Sequence, residues 1–226
     1  MNLVVDQGNS SAKIALFDAG EMIYFQKYEK FTLDDVRSLH DKYNYTKAIR
    51  SSVIGEDEAL SSYLKENTDK WIELTNETPI PLQNLYKTPE TLGRDRIAVC
   101  VGANFLERDR NLLVIDAGTA ITYDVVNAQN QYAGGNISLG IEMRRKALHD
   151  YTAKLPLVDV KDDAQLIGTT TETAIMSGVV NGIAAEMNGF IEEMASIYPG
   201  LLVFLTGGSA KCFEKRIKNK IFAIPN

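Results

Sequence analysis

LVVDQGNSSAKIA at residues 3–15 and LVIDAGTAITYDV at residues 113–125 are two versions of one phrase. At an offset of 110 residues, Asp6 falls on Asp116, Gly8 on Gly118 and Asn9 on Thr119. Each copy is an apolar strand that ends in Asp-x-Gly, crosses small polar residues and enters a second, alternating strand. A repeat at almost half the length of a 226-residue chain points to duplication of a whole module.

Outward from the first copy, alternation predicts strands at 2–6, 12–18 and 22–28, with turns at Gly8 and Gly20. A helix follows at 33–43, with Thr32 as N-cap and Asp34 and Asp35 where they meet the positive end of the helix dipole. A strand at 47–54, a helix at 56–66 and a strand at 71–75 come next. Residues 76–92 hold Pro79, Pro81 and Pro89 and little periodicity, so they form a long connection, a kind of segment that often carries function. A helix at 94–107 ends the half. The second half is predicted as strands at 112–116, 120–127 and 131–137, helices at 140–149 and 171–195, a strand at 201–206, a helix at 208–217 and a strand at 220–224. Three strands, helix, strand, helix, strand, given twice, predict an α/β protein with two mixed sheets, divided into residues 1–110 and 111–226. A cleft between two such halves is the natural place for a ligand. On the long helix, Ile175, Val179, Ile183, Met187, Phe190 and Met194 make an apolar stripe that reads first as core. Gly178 and Gly182 on its side would let a partner helix approach. Cys100 and Trp71 read as packing residues.

At 25.1 kDa the chain can bury a sizeable core. Its net charge is −6, with 14 basic and 18 acidic residues before residue 111 and 10 and 12 after it. Neither half is basic, so no nucleic-acid partner is expected. No apolar run approaches the roughly 18 residues of a membrane span. MNLVVDQGN lacks a basic leader, so neither secretion nor membrane insertion is expected. Two cysteines and two histidines make neither a disulfide framework nor a structural zinc site, and a cytoplasmic location fits.

Three segments carry chemistry. In Asp6-Gln7-Gly8-Asn9-Ser10-Ser11-Ala12-Lys13 a strand delivers a carboxylate, a glycine turns the chain, and backbone N–H groups and short hydroxyls can surround phosphate oxygens. Asp6 would then hold Mg²⁺ through water. The same segment also reads as an ordinary hairpin turn; its second copy at Asp116 favours function. In Leu92-Gly93-Arg94-Asp95-Arg96, two arginines at a helix start suit an anion, and the carboxylate between them could accept a proton from a substrate hydroxyl. Arginine neighbours lower an Asp pKa, so Asp95 is expected to be a weak base, which suffices for phosphoryl transfer. A solvated charge cluster is the other reading. Thr206-Gly207-Gly208-Ser209-Ala210 lets backbone approach a ligand at a strand-to-helix turn, or is a plain turn; Gly134-Gly135-Asn136 is weaker still. A P-loop motif and a G-x-G-x-x-G after the first strand are both missing.

Taken in order, DQGNSSAK, YKTPET before LGRDR, VIDAGTAITYD, GGNISLGIEM, GTTTETAIMSG and LTGGSAK resemble the type III pantothenate kinases, over residues 2 to about 212. The resemblance implies two duplicated halves of the actin-like ATPase (ribonuclease H-like) fold, shared with Hsp70 and sugar kinases. It implies ATP-dependent phosphorylation of pantothenate, the first step of coenzyme A synthesis, in a homodimer. By position, Asp6, Gln7, Gly8, Asn9, Ser10, Ser11, Ala12 and Lys13 match the family's ATP-phosphate loop. Gly93, Arg94, Asp95 and Arg96 match its pantothenate segment, with Asp95 as proton acceptor and Tyr86 as a substrate-contacting tyrosine. Asp116 matches the ligand of an activating monovalent cation, K⁺ or ammonium. Thr119 matches an ATP-contacting threonine, Gly207 and Gly208 lie near the nucleotide, and Thr171 reaches substrate across a dimer interface. The chain departs from the family at Ser10, usually threonine, at Leu139, usually proline, and after Asn226, where relatives usually continue into a last helix. Two other functions compete: a kinase of another small hydroxy acid, and a non-catalytic nucleotide-binding regulator of the same fold. Tyr86 with Gly93–Arg96 favours an acid with a hydroxyl. The presence of Asp6, Asp95 and Asp116 together favours an active enzyme.

Overall fold

The computed structural model describes residues 1–8, 11–160 and 163–223. They form two compact units: Met1–Pro79 with Glu90–Asp95, and Ile80–Pro89 with the chain from Arg96 on.

The first unit holds strands β1 (Asn2–Gln7), β2 (Ala12–Asp18), β3 (Glu21–Tyr28), β4 (Lys47–Ser52) and β5 (Lys70–Glu73), with helices α1 (Leu33–Tyr43) and α2 (Glu58–Asn67). The sheet order is β3-β2-β1-β4-β5. β1 pairs antiparallel with β2 and parallel with β4, as the alternating hairpin and the helical crossover dictate. Leu3 and Val5 of β1 pack on Val36 and Leu39 of α1 and on Leu60 and Leu64 of α2. Fully burying each such side chain contributes about 1.5–3 kcal/mol. Thr32 starts α1 with a complete capping box, its hydroxyl meeting the Asp35 N–H and the Asp35 carboxylate returning to the Thr32 N–H at 2.7 Å. Trp71 packs at the edge of this core, as predicted.

The second unit holds β6 (Gln83–Asn84), β7 (Leu112–Ala117), β8 (Ala120–Asn127), β9 (Gln131–Leu139), β10 (Leu202–Thr206) and β11 (Ile221–Ala223), with helices α4 (Ile141–Asp150), α5 (Thr171–Ile197) and the short α6 (Ala210–Phe213). Helix α3 (Arg94–Leu106) gives its first two residues to the first unit and the rest to the second. The second sheet runs β11-β10-β7-β8-β9-β6. Without β6 its order and strand directions repeat those of the first sheet, so the sequence repeat is a repeat of topology. The stripe on α5 is core, as predicted: Val179, Ile183 and Met187 pack on Leu113, Ile115, Val203 and Leu205. Cys100 is buried packing, and burial pushes its thiol well up.

Two details differ from the sequence reading. The connection at 76–92 contains β6, paired parallel with β9, and a short 3₁₀ turn at Pro89–Thr91. The helix predicted at 208–217 is regular only over the four residues Ala210–Phe213. Helices α4 and α5 lie where helices are predicted at 140–149 and 171–195, so the pattern of three strands, helix, strand, helix, strand holds in the first half and gains a helix in the second. Among the described residues no helix is long and apolar enough to cross a membrane.

Candidate active site

The two aspartates of the repeat end their strands in matching places. Asp6 lies beside Lys13 on the antiparallel side and Ser51 on the parallel side; Asp116 lies beside Thr122 and Thr206. Lys13 lies seven positions after Asp6 and Thr122 six positions after Asp116, so the first turn is one residue longer. The offset of 110 therefore holds into the turn and slips by one beyond it.

In the first unit, Asp6 is half-buried. Burial raises its pKa above the ordinary carboxylate value, the nearby Asp95 raises it further, and Lys13 opposes both. Asp6, Lys13 and Asp95 thus form one electrostatic cluster. Gln7 faces the opposite side of the sheet, where its Oε1 accepts from Arg50 Nε at 2.6 Å. The Gly8 N–H closes the turn onto the Ser11 carbonyl at 3.0 Å. Asn9 and Ser10 lie outside the described residues. Ala12 is buried, and Ser11 and Lys13 are half-buried. Arg94 opens α3 and donates from Nη1 to the Ser52 carbonyl at 3.2 Å, which fixes the chain next to Asp95. Gly93 and Arg94 line a cavity of about 470 Å³ with Ser52 and Glu73.

In the second unit, Arg96 is buried and meets Asp124, a residue the sequence reading missed. Arg96 Nη2 lies 2.7 Å and Nε 3.0 Å from Asp124 Oδ1, and the Tyr132 hydroxyl donates to the same oxygen at 2.7 Å. Burial alone would lower the Arg96 pKa, but the Asp124 carboxylate raises it on balance. The guanidinium carbon stands 5.7 Å from the centre of the Tyr86 ring, so Tyr86 and Arg96 come together. Gly135 has its reason here: a Cβ would lie 2.6 Å from Asp124 Oδ1 and 2.9 Å from Arg96 Nη2. A charged residue in an otherwise apolar strand, facing a glycine pair, was the available signal for Asp124.

Asp116 and Gly207 also come together. A Cβ on Gly207, whose φ is +100°, would lie 2.4 Å from Asp116 Oδ1 and 2.5 Å from the Ala117 nitrogen. Only glycine lets the turn after β10 press on that carboxylate. Gly208 is exposed beside it, and Thr119 is exposed in the turn after β7. Thr171 is exposed at the first turn of α5, which Thr170 caps.

A family model described as type III pantothenate kinase matches residues 2–193. The type III pantothenate kinase of Phocaeicola vulgatus is 46% identical over 223 residues, covering 99% of this chain and 92% of the relative. That of Bacteroides fragilis is 45% identical, with the same coverage. Among solved structures, a putative 2-dehydro-3-deoxygalactonokinase from Sinorhizobium meliloti superimposes with a TM-score of 0.61 at 12% identity, over 100% of this chain and 94% of that one. At that identity the likeness speaks for the fold alone.

Proposed function

This chain belongs to the type III pantothenate kinase family, and from that membership we infer that it transfers a phosphoryl group from ATP to the hydroxyl of pantothenate, the first step of coenzyme A synthesis. The observation that supports a working site is the cluster of Asp6, Lys13 and Asp95 at the carboxyl end of the first sheet. Ligands of open α/β sheets bind there.

In our reading, the Gly8–Lys13 turn takes the ATP phosphates, with the Ser11 hydroxyl and the Lys13 ammonium as its polar contacts and Thr119, Gly207 and Gly208 near the rest of the nucleotide. Asp95 accepts the hydroxyl proton as the oxygen attacks. A loose phosphoryl-transfer transition state asks mainly for this orientation and for charge neutralisation. Tyr86, Gly93, Arg94 and Arg96 hold the acid, and Asp124 keeps the Arg96 guanidinium in a fixed plane. Thr171 completes the acceptor site of a partner chain.

The residues suit the expected ions. Burial, with the Asp95 carboxylate nearby, raises the proton affinity of Asp6, and a bound cation would offset the same unfavourable negative charge, so Asp6 would hold Mg²⁺ through water. Mg²⁺ takes one or two carboxylates and fills its shell with water and phosphate oxygens, so one carboxylate beside the ATP phosphates would suffice to hold it. When bound, Mg²⁺ supplies positive charge to the transferring phosphate. Beside Asp116, the Thr122 hydroxyl oxygen is buried and has no hydrogen-bond partner among the described residues. An orphaned oxygen next to a carboxylate suits a monovalent cation, K⁺ or ammonium. We place the enzyme in the cytoplasm, in keeping with its two free thiols.

The test is ATP consumption by the purified chain with and without pantothenate, in K⁺ and in Na⁺ buffers. Pantothenate-dependent consumption, faster in K⁺, is the expected result. ATP consumption indifferent to pantothenate contradicts the substrate, and equal rates in the two salts contradict the cation.

A further inference from the structure

β1 and β4 run parallel in register, so Leu3, Val5 and Gln7 share a face with Ala48, Arg50 and Ser52. That face packs on α1 and α2, where apolar side chains belong. Its last places at the carboxyl end are instead Gln7, Arg50 and Ser52, all buried, with Arg50 only 1% exposed. A buried guanidinium is tolerated only when its N–H groups are met. Three separate segments meet this one. Nε donates to Gln7 Oε1 at 2.6 Å, Nη2 to the Gly55 carbonyl at 2.8 Å, and Nη1 to Glu73 Oε2 at 3.2 Å.

These bonds converge on the turn after β4. The Ser52 hydroxyl also donates to the Gly55 carbonyl, at 3.0 Å, and the Val53 N–H donates to the Gln7 carbonyl at 3.0 Å. From the other side Arg94 donates to the Ser52 carbonyl at 3.2 Å. The turn is therefore tied at one end to the strand that enters the phosphate loop and at the other to the residue before Asp95. Gly55 lines both adjoining cavities, one of about 510 Å³ that reaches Gly8 and Ser11, the other of about 470 Å³ that reaches Gly93 and Arg94.

We propose that Arg50 is a positioning residue: through the Ser52–Gly55 turn it holds the phosphate loop in register with the Arg94–Asp95 segment, so that donor phosphate and acceptor hydroxyl align. Arg50 acts through Gln7 and Gly55 and does no chemistry itself. The proposal rests on the kinase reading above. Aligned reactants are sensitive to small displacements, and about 1 Å can cost on the order of 100-fold in rate.

The experiment uses Arg50→Lys, which keeps the charge but cannot spread to three acceptors. Circular dichroism checks folding, and kcat and KM are measured for ATP and for pantothenate. The expected result is a folded variant whose kcat falls by about 10- to 100-fold while both KM values stay within about threefold. Arg50→Lys combined with Ser52→Ala should lose less than the product of the two single losses, since both side chains donate to the Gly55 carbonyl. If Arg50→Lys does not fold, Ser52→Ala decides, because it removes one clip on Gly55 without stranding a charge; a severalfold fall in kcat at steady KM is expected. A change confined to thermal stability, or to KM for ATP alone, overturns the proposal while leaving the kinase reading standing. A wild type without pantothenate-dependent turnover overturns both.

Discussion

Asp95 and Asp6 sit in one cluster, and the mechanism we propose asks opposite things of them. Asp95 must take a proton, so Asp95→Asn, which keeps the shape, should lower kcat by about 10²–10⁴-fold and leave ATP affinity near wild type. Steady-state kinetics with a separate ATP-binding titration measures this, and near-normal turnover would remove Asp95 from the role. Asp6 must stay ionised to hold a cation, at a cost. Its raised pKa means the folded chain binds that proton more tightly than the unfolded chain does. Stability is therefore lost as pH rises from the ordinary carboxylate value through the folded value. Asp6→Asn removes that cost. The variant should melt at or above the wild-type temperature at pH 7, the gain should vanish below about pH 3.8, where both states are protonated, and Mg²⁺ with ATP should no longer protect it. A lower Tm at pH 7, or undiminished protection, would contradict this account of Asp6.

The buried Arg96–Asp124 pair ties α3 to β8, with Tyr132 of β9 on the same carboxylate oxygen. Removing one partner leaves the other charge buried and alone, so Asp124→Ala should cost about 3–5 kcal/mol in chemical denaturation. A loss under about 1 kcal/mol would mean that water reaches Arg96. At this scale the sequence was readable wherever the cause is local. The Thr32 cap, the strand hairpins and the start of α3 at Arg94 all follow from neighbours within a few residues. β6 was not readable, because Gln83 and Asn84 become a strand only by pairing with Gln131 and Tyr132, far along the chain. Asp124 was hidden for the same reason: its partner stands 28 residues earlier, and alternation alone gives a polar strand residue to solvent.

For the whole molecule, the echo at Asp6 and Asp116 was enough to reveal two sheets of one topology, since a repeated strand-turn-strand phrase brings its crossover with it. The site was legible as motifs, but which side chains are pinned, Gln7 by Arg50 and Arg96 by Asp124, required the pairing of strands. We propose a two-fold homodimer through α5, whose apolar stripe is used by its own core but whose Gly178 has open space where a side chain would be. Gly178→Leu should then give a folded monomer by light scattering and circular dichroism, with turnover lost because Thr171 no longer reaches the partner's acceptor site. A folded monomer of full activity would contradict the shared site. The most direct test of the central claim is phosphorus NMR of the purified wild-type chain with ATP, Mg²⁺ and K⁺, with and without pantothenate. The account predicts a phosphomonoester signal and ADP only when pantothenate is present, and neither signal with Asp95→Asn over the same time. Inorganic phosphate in place of the phosphomonoester, or a phosphomonoester formed equally well by Asp95→Asn, would contradict it.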